Sequence, residues 1–383
     1  MFTVSTSVDA VDAAPGDGVC EATPDEGDCT LRAAIGEANA LAAEAIVPSP
    51  SITITLATDV ELSIAGVGED VGATGDLDLV LGAARATLVG DGHAVDAAGL
   101  DRAFDIRSGS VTFDLLVITG GRADGSGGGV RTAPGSTTSI VRSTFAANRS
   151  VTNGSCYLTR VTVRTCGGPP ATVVAGGGAV ANEGRLSVVA STFEQNAAET
   201  TGAPGCQVFS YLWAYCDATW GGGILSSGAF YVGISTFDGN TSVPPASLPP
   251  VLDPFGAAIY ATGESSVISS TATDNGPSPV ASVVTGSVRS SIVASTSCGA
   301  PLVDADHNLR SPASCGVAVP GLFGPLTANG GPTRTRVPAV TSGAVDAIPW
   351  SECLGYTADQ RSTPRVAGQP CDIGAVERQP ADG

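Results

Sequence analysis

Apolar and polar positions alternate along the middle of this chain in short bursts that keep restarting. Four segments align: GGGVRTAPGSTTSIVRSTFAAN (127–148), GGGAVANEGRLSVVASTFEQN (176–196), GGGILSSGAFYVGISTFDGN (221–240) and the degenerate GAAIYATGESSVISSTATDN (256–275). Each opens on small residues and closes on Asn. Inside a unit the period is two, which means strand. Leu186, Val188 and Ala190 share one face; Ser187, Val189 and Ser191 share the other. Phe230, Val232 and Ile234 hold the matching apolar face in the third unit. The phase breaks at Ser-Thr, so Phe193 and Phe237 turn inward after a bend. The glycines permit positive φ or close backbone approach. The closing residues Asn148, Asn196, Asn240 and Asn275 suit a left-handed turn position. Each can hydrogen-bond to the Asn of the next unit, making a ladder.

One unit per turn of a solenoid explains these repeats. Each turn supplies about three short strands, and turns stack by parallel pairing about 4.8 Å apart. Residues 52–119 (SITITL, DLDLVL, ATLVG, AFDI, VTFDLLVIT) and 282–295 keep the rhythm more loosely. The expected fold is all-β, a parallel β-helix. A stacked pair of sheets with long hairpins is the alternative, although Greek-key sandwiches do not give one-turn repeats. A solenoid end needs a cap. Residues 29–42, CTLRAAIGEANALA, form the one helical pattern, with Leu31, Ala34, Ile35, Ala38 and Leu41 in a stripe. Asp28 or Thr30 can cap it. The expected order is an N-terminal cap (1–50), a solenoid (51–322) and a C-terminal cap or anchor-proximal region (323–383), in one continuous domain.

Composition sharpens this picture. Fifty glycines among mostly small or β-branched residues disfavour long helices. The formal net charge is −19, and all 18 basic residues are arginine. Such a balance argues against nucleic acid or an anionic membrane as partner. The missing lysines exclude Schiff-base chemistry. The ten cysteines fall in neighbouring pairs: Cys20 and Cys29, Cys156 and Cys166, Cys206 and Cys216, Cys298 and Cys315, Cys353 and Cys371. None forms CxxC and only two histidines exist, so disulfides in an oxidising compartment are expected rather than zinc. The opening MFTVSTSVDA reads as a mature start, which implies a leader removed upstream.

GDGVCEATPDEGDCTLRAAIGEANA (16–40) resembles the N-terminal CSLREA motif of bacterial surface proteins, with Ala33 where the motif has Glu. GGPTRTRV (330–337), DQRSTPR (359–365) and CDIGAVE (371–377) resemble the choice-of-anchor Q region of those proteins. Arg336 stands where His is common, and Ser362 where Gly is common. The GGG and FxxN units are similar to the repeats of polymorphic outer-membrane proteins. The resemblance implies a right-handed, pectin-lyase-like parallel β-helix, exported and displayed on a bacterial cell, with no fixed activity. The chain stops at ADG without an anchor segment, which leaves either an anchor further on or a released protein.

Some parallel β-helix proteins are polysaccharide lyases, which often use Ca²⁺ held by carboxylates with an Arg or Lys as base; others are glycosidases, which need two carboxyl groups. The acidic candidates here are Asp76 with Asp78, then Asp91, Asp96, Asp101 and Asp105, and Asp304 with Asp306. Set against that chemistry is a role as solvated or turn residues. VDADHNL (303–309) starts like a calcium loop but lacks its Gly, and Cys315 sits where its Glu belongs. No cofactor is expected beyond a possible Ca²⁺. His93 has no nucleophile at a recognisable spacing and reads as a turn residue. Asp359, Arg361, Arg365, Asp372 and Glu377 read as C-terminal ion pairs.

Extra chain follows the first three closing asparagines, at 149–175, 197–220 and 241–255. These insertions fall at one phase of consecutive turns, so they emerge side by side about 5 Å apart. Long loops on a rigid scaffold are where function tends to sit. Arg160 and Arg164 in the first, with Tyr211, Trp213, Tyr215 and Trp220 in the second, suit an acidic sugar by stacking and bidentate bonding. The bland alternative is a mini-core sealing the solenoid flank. Nine residues separate Cys206 from Cys216, about 30 Å in an unbroken strand, too far for a disulfide. Either each loop closes on itself, with a turn near Tyr211–Trp213, or parallel loops pair Cys156–Cys206 and Cys166–Cys216. Self-closure is preferred. The leading expectation is a non-enzymatic, secreted or cell-surface protein that binds a glycan or another surface component. A polysaccharide lyase or glycoside hydrolase, and a purely structural rod, are the alternatives.

Overall fold

The computed structural model describes the whole chain except residues 45–47, 154–155, 161–172, 202–211, 217, 244–255, 277–279, 283–285, 295–303, 312–322, 354–355, 366–367 and 383. Cys166, Cys206, Cys298, Cys315, Arg164 and Tyr211 therefore lie outside the described residues. The protein is all-β in character, built mostly of parallel sheets.

The first three units feed the same three sheets in the same order. In the second unit, Val180–Asn182 and Arg185–Val189 join the first sheet, Thr192–Glu194 the second and Ala197–Thr201 the third. The next unit repeats this with Ile224–Ser226, Ala229–Gly233, Thr236–Asp238 and Thr241–Val243. Like residues pair with like: Leu186 with Phe230, Val188 with Val232, Phe193 with Phe237. Parallel pairing in register stacks apolar columns, because alternate side chains share a face. Ile140, Val188, Val232, Val267 and Val288 form one buried column. Phe145, Phe193 and Phe237 form another, with ring centroids 5.0 and 4.8 Å apart and rings near parallel.

The third sheet corrects the expected insertion boundaries. Arg149–Asn153, Ala197–Thr201 and Thr241–Val243 belong to the stack, so the chain leaves it after these strands and not at the Asn. RSVTN and TSV each carry a single valine and AAETT no large apolar residue, so no apolar alternation marks them in the sequence.

Two polar ladders run beside the apolar columns. The Asn148 amide donates to Asn196 Oδ1, Asn196 to Asn240 and Asn240 to Asn275, at 2.8–3.0 Å. Each backbone N–H makes the same step. The asparagines themselves do not take the left-handed conformation. The residues before them do: Ala147, Gln195, Gly239 and Asp274, at φ of 55°, 56°, 64° and 53°. The bend made there turns each Asn side chain inward. A second ladder links Ser143, Ser191, Ser235, Ser270 and Ser291, each backbone N–H donating to the next hydroxyl. Glycine is required where units touch most closely. A Cβ on Gly178 would lie 2.3 Å from the Gly222 carbonyl oxygen.

The helix spans Leu31–Ala43 and starts two residues later than its pattern suggests. Cys29 is held by the Cys20–Cys29 disulfide, and Thr30 is the N-cap, accepting from the Ala33 N–H. Asp28 instead accepts from the N–H groups of Ala22 and Thr23. Leu31, Ala34, Ile35 and Ala38 join the apolar core of the first strands. Arg32 is buried against Asp9 and donates to the carbonyls of Gly72, Gly75 and Asp76.

The C-terminal region lies along the outward side of the second sheet. Thr192, Thr236 and Thr271, one from each of three units, hold it. Gln360 bonds the hydroxyls of Thr192 and Thr236, and the Ala375 N–H donates to Thr271. Arg334 pairs with Glu194, and Arg336 with Asp238 and Asp274. Inside this region Arg361 pairs with Asp359, Arg365 with Glu377, and Cys353 with Cys371 in a disulfide.

Candidate functional site

The insertions meet each other outside the stack. Cys156–Arg160 of the first pairs antiparallel with Leu212–Cys216 of the second. The Cα register sets Cys156 opposite Cys216, Thr159 opposite Trp213 and Arg160 opposite Leu212. Val173–Gly176 and Ala218–Trp220 then pair in parallel and lead both chains back to the next glycines. The two insertions thus form one accessory structure. At Cys156–Arg160 and Leu212–Cys216 they run antiparallel, whereas the second disulfide scheme required parallel loops. Trp213 and Tyr215 lie within one continuous strand, so no turn falls between Leu212 and Cys216. Trp220 is half-buried, its ring edge-on to buried Tyr260 with centroids 4.2 Å apart. That contact has the character of a flank seal.

A cleft of about 640 Å³ lies elsewhere on the first sheet, lined in part by Tyr231, Tyr356, Arg289 and Glu352. Tyr231 and Tyr356 bond through their hydroxyls. Arg289 Nε is buried without a hydrogen-bond partner among the described residues. Ile268 pairs with Arg289 in register, and Tyr231 with Ser266 on the neighbouring strand. Sequence reading missed this site. Its strand residues sit at outward positions, where no periodic apolar pattern singles them out.

Some of the acidic candidates do converge. Asp76 and Asp78 flank buried Leu77 and point away from the core, as alternation demands. Asp105 pairs in register with Asp78 on the next strand. Arg107 Nη1 reaches Asp70 at 2.5 Å and Asp105 at 3.4 Å; Arg131 Nη1 reaches Asp105 at 3.2 Å. Arg102 Nε lies 2.8 Å from Asp76. Burial pushes the Asp76 carboxyl up to about 7 against the pull of Arg102, with Asp78 and Asp101 adding to the rise. Burial, then the charge of Asp105, pushes Asp78 up to about 7. Burial raises Asp101 as well.

The remaining candidates are local. Asp96 accepts from the Ala98 N–H, and Asp91 sits at a positive-φ turn. His93 Nδ1 lies 3.1 Å from Asp59. Asp304–Asp306 is a strand, with Asp304 opposite Val288 and Asp306 opposite Arg289.

These features define an all-β protein of stacked parallel strands with an accessory structure on one edge and a buried carboxylate cluster near one end. Its two described disulfides fit an oxidising compartment. No helix among the described residues is long and apolar enough to cross a membrane. No family model matches the chain, and neither a curated protein nor a solved structure matches it.

Proposed function

We propose that the chain is a right-handed parallel β-helix of the bacterial cell-surface kind, and that it binds a glycan or another surface component through its edge insertions. The pairing of two successive insertions into one accessory structure carries this reading. Backbone pairing between loops that leave successive units costs chain order that a mere spacer does not need. Tyr211, Trp213, Tyr215, Arg160 and Arg164 belong to the insertions so joined. Binding to a panel of immobilised acidic and neutral glycans tests the proposal. The Trp213→Ala, Tyr215→Ala double variant is expected to lose at least about 2 kcal/mol of binding free energy. A variant that binds every glycan as the parent does would refute it.

A second reading is a polysaccharide-cleaving enzyme. Its support is that Asp76 and Asp78 hold protons near neutral pH, as a general acid must. Their exposures of 5% and 0% keep a polymer away from them, so this reading ranks second. Product release from uronate polysaccharides by the parent, lost in Asp76→Asn, would reverse the order.

A further inference from the structure

We infer that Asp76, Asp78 and Asp105 form a binding site for a hard divalent cation, calcium foremost, which clamps the N-terminal segment to the first strands of the stack. One carboxylate oxygen from each residue lies within 4.8 Å of the others. Oxygens that close can converge on one ion, about 2.3–2.6 Å from each for calcium, after small rotations of the carboxylates. All three residues are buried, at 5%, 0% and 4% exposure.

The partners of these oxygens are few. Asp78 Oδ2 accepts from the Gly72 N–H at 2.9 Å. Asp78 Oδ1 is buried without a hydrogen-bond partner among the described residues. Its closest cation is Arg107 Nη1 at 3.9 Å, outside hydrogen-bond range, and that nitrogen is already engaged by Asp70 and Asp105. Arg131 serves both Asp105 and Glu183. Arg102 is the ion-pair partner of Asp76. Asp70, Asp76, Asp78, Asp101 and Asp105 thus share three guanidinium groups. A buried carboxylate oxygen left without a partner is costly, and a bound cation removes that cost.

A second acidic group shows the contrast. Asp12, Asp17 and Glu37 also bring oxygens within 4.8 Å. There the carboxylates accept from backbone N–H groups: Glu37 from Gly16 and Gly18, Asp12 from Ala14 and Glu21, Asp17 from Val19. That group is satisfied by its own loop; the Asp78 group is not.

The donor set selects the ion. It offers carboxylate oxygen and neither sulfur nor imidazole, which suits calcium rather than zinc or copper. Three ligands on adjacent strands and irregular chain favour an ion tolerant of uneven geometry over magnesium. The site joins elements far apart in sequence. Gly72 bonds Asp78 while its carbonyl, with those of Gly75 and Asp76, holds Arg32 of the helix. An ion here ties that segment, the helix and two strands together.

The test is calorimetric titration of the chelator-treated full chain with calcium chloride, paired with thermal unfolding in calcium, magnesium and EGTA. Expected are one saturable calcium site and a higher unfolding temperature in calcium than in magnesium or EGTA. Asp78→Asn and Asp105→Asn should each weaken binding roughly tenfold or more. Asp17→Asn, in the satisfied group, should leave it unchanged. A parent chain that takes up no calcium at about 5 mM overturns the inference. So does uptake that Asp78→Asn and Asp105→Asn leave intact, or that Asp17→Asn abolishes. The titration of the parent decides the matter even where a variant fails to fold.

Discussion

The stacked units and the insertions that leave them obey different rules, although one follows the other in the chain. Among the four repeat units, register is uniform: Thr192 meets Thr236, Phe193 meets Phe237, and Asn196 bonds Asn240. In the insertions one pair is antiparallel, the other is parallel, and the parallel pair carries a register shift between Val173 and Ala175. A column of identical side chains fixes position by repetition. Strands outside the column must find partners one at a time. The stack therefore sets where the insertions begin and end, and leaves what lies between free to differ from unit to unit.

Four experiments break or sharpen that contrast. The largest effect belongs to Phe193→Ala, which opens a cavity between Phe145 and Phe237. A loss of about 3–5 kcal/mol is expected in denaturant unfolding. Asn196→Ala comes next. It strips the Asn148 N–H and amide of their acceptor and the Phe145 carbonyl of its donor, all buried. The expected loss is about 3 kcal/mol, because each stranded group carries its own desolvation cost.

The third experiment concerns charge in the stack. The folded state holds protons on Asp76 and Asp78 up to about pH 7, while their unfolded values are the ordinary 3.8. The folded state then binds more protons than the unfolded one between those limits. Their contribution to stability is present below about pH 4 and falls as pH rises towards 7. In metal-free buffer Asp78→Asn should flatten that decline and add about 1–2 kcal/mol at neutral pH. A steeper decline in the variant would contradict the assignment. The smallest effect on stability is expected outside the stack: Trp213→Ala with Tyr215→Ala should cost less than about 1 kcal/mol. A loss as large as that of Phe193→Ala would make the insertions part of the core and end the distinction.

The insertions also predict a covalent link. Directly opposed residues of an antiparallel pair have Cα atoms about 4.5–5.5 Å apart, inside disulfide range. Cys156 and Cys216 are so opposed. Under non-reducing tryptic digestion the peptide 150–160 should emerge joined to the peptide 186–289. Separate recovery of the two would restore closure of each loop on itself.

What the sequence showed was what repeats. The Phe and Val columns, the Asn ladder and the helical stripe each come from a pattern that recurs or has a period. The serine ladder also recurs, in Ser143, Ser191 and Ser235, but a small polar residue at a bend does not by itself disclose a hydrogen-bonded ladder. The third sheet was missed because its strands are short and mostly small or polar, with Val151 and Val243 too isolated to show a period. The Asp76, Asp78 and Asp105 convergence was visible as candidates, but not as a cluster. It depends on the pairing of Asp78 with Asp105 across a loop whose length says nothing of register. The cleft at Arg289 depends on residues from 231 to 356 meeting through the C-terminal region, which no local pattern encodes.

The asparagine ladder has a further consequence. Its rungs are 48, 44 and 35 residues apart in sequence, yet each is adjacent to the next in space. Every rung before the last offers its amide forward and its side-chain oxygen backward. The last, Asn275, keeps the bond to the preceding carbonyl, Phe237 O, that the others also make, and donates to the Thr273 carbonyl in place of a next Asn. The ladder works like a modular rail with a built-in end stop. Another unit can be spliced in before the stop without creating an unmatched group, and the cargo hung from each unit can change length without moving the rail.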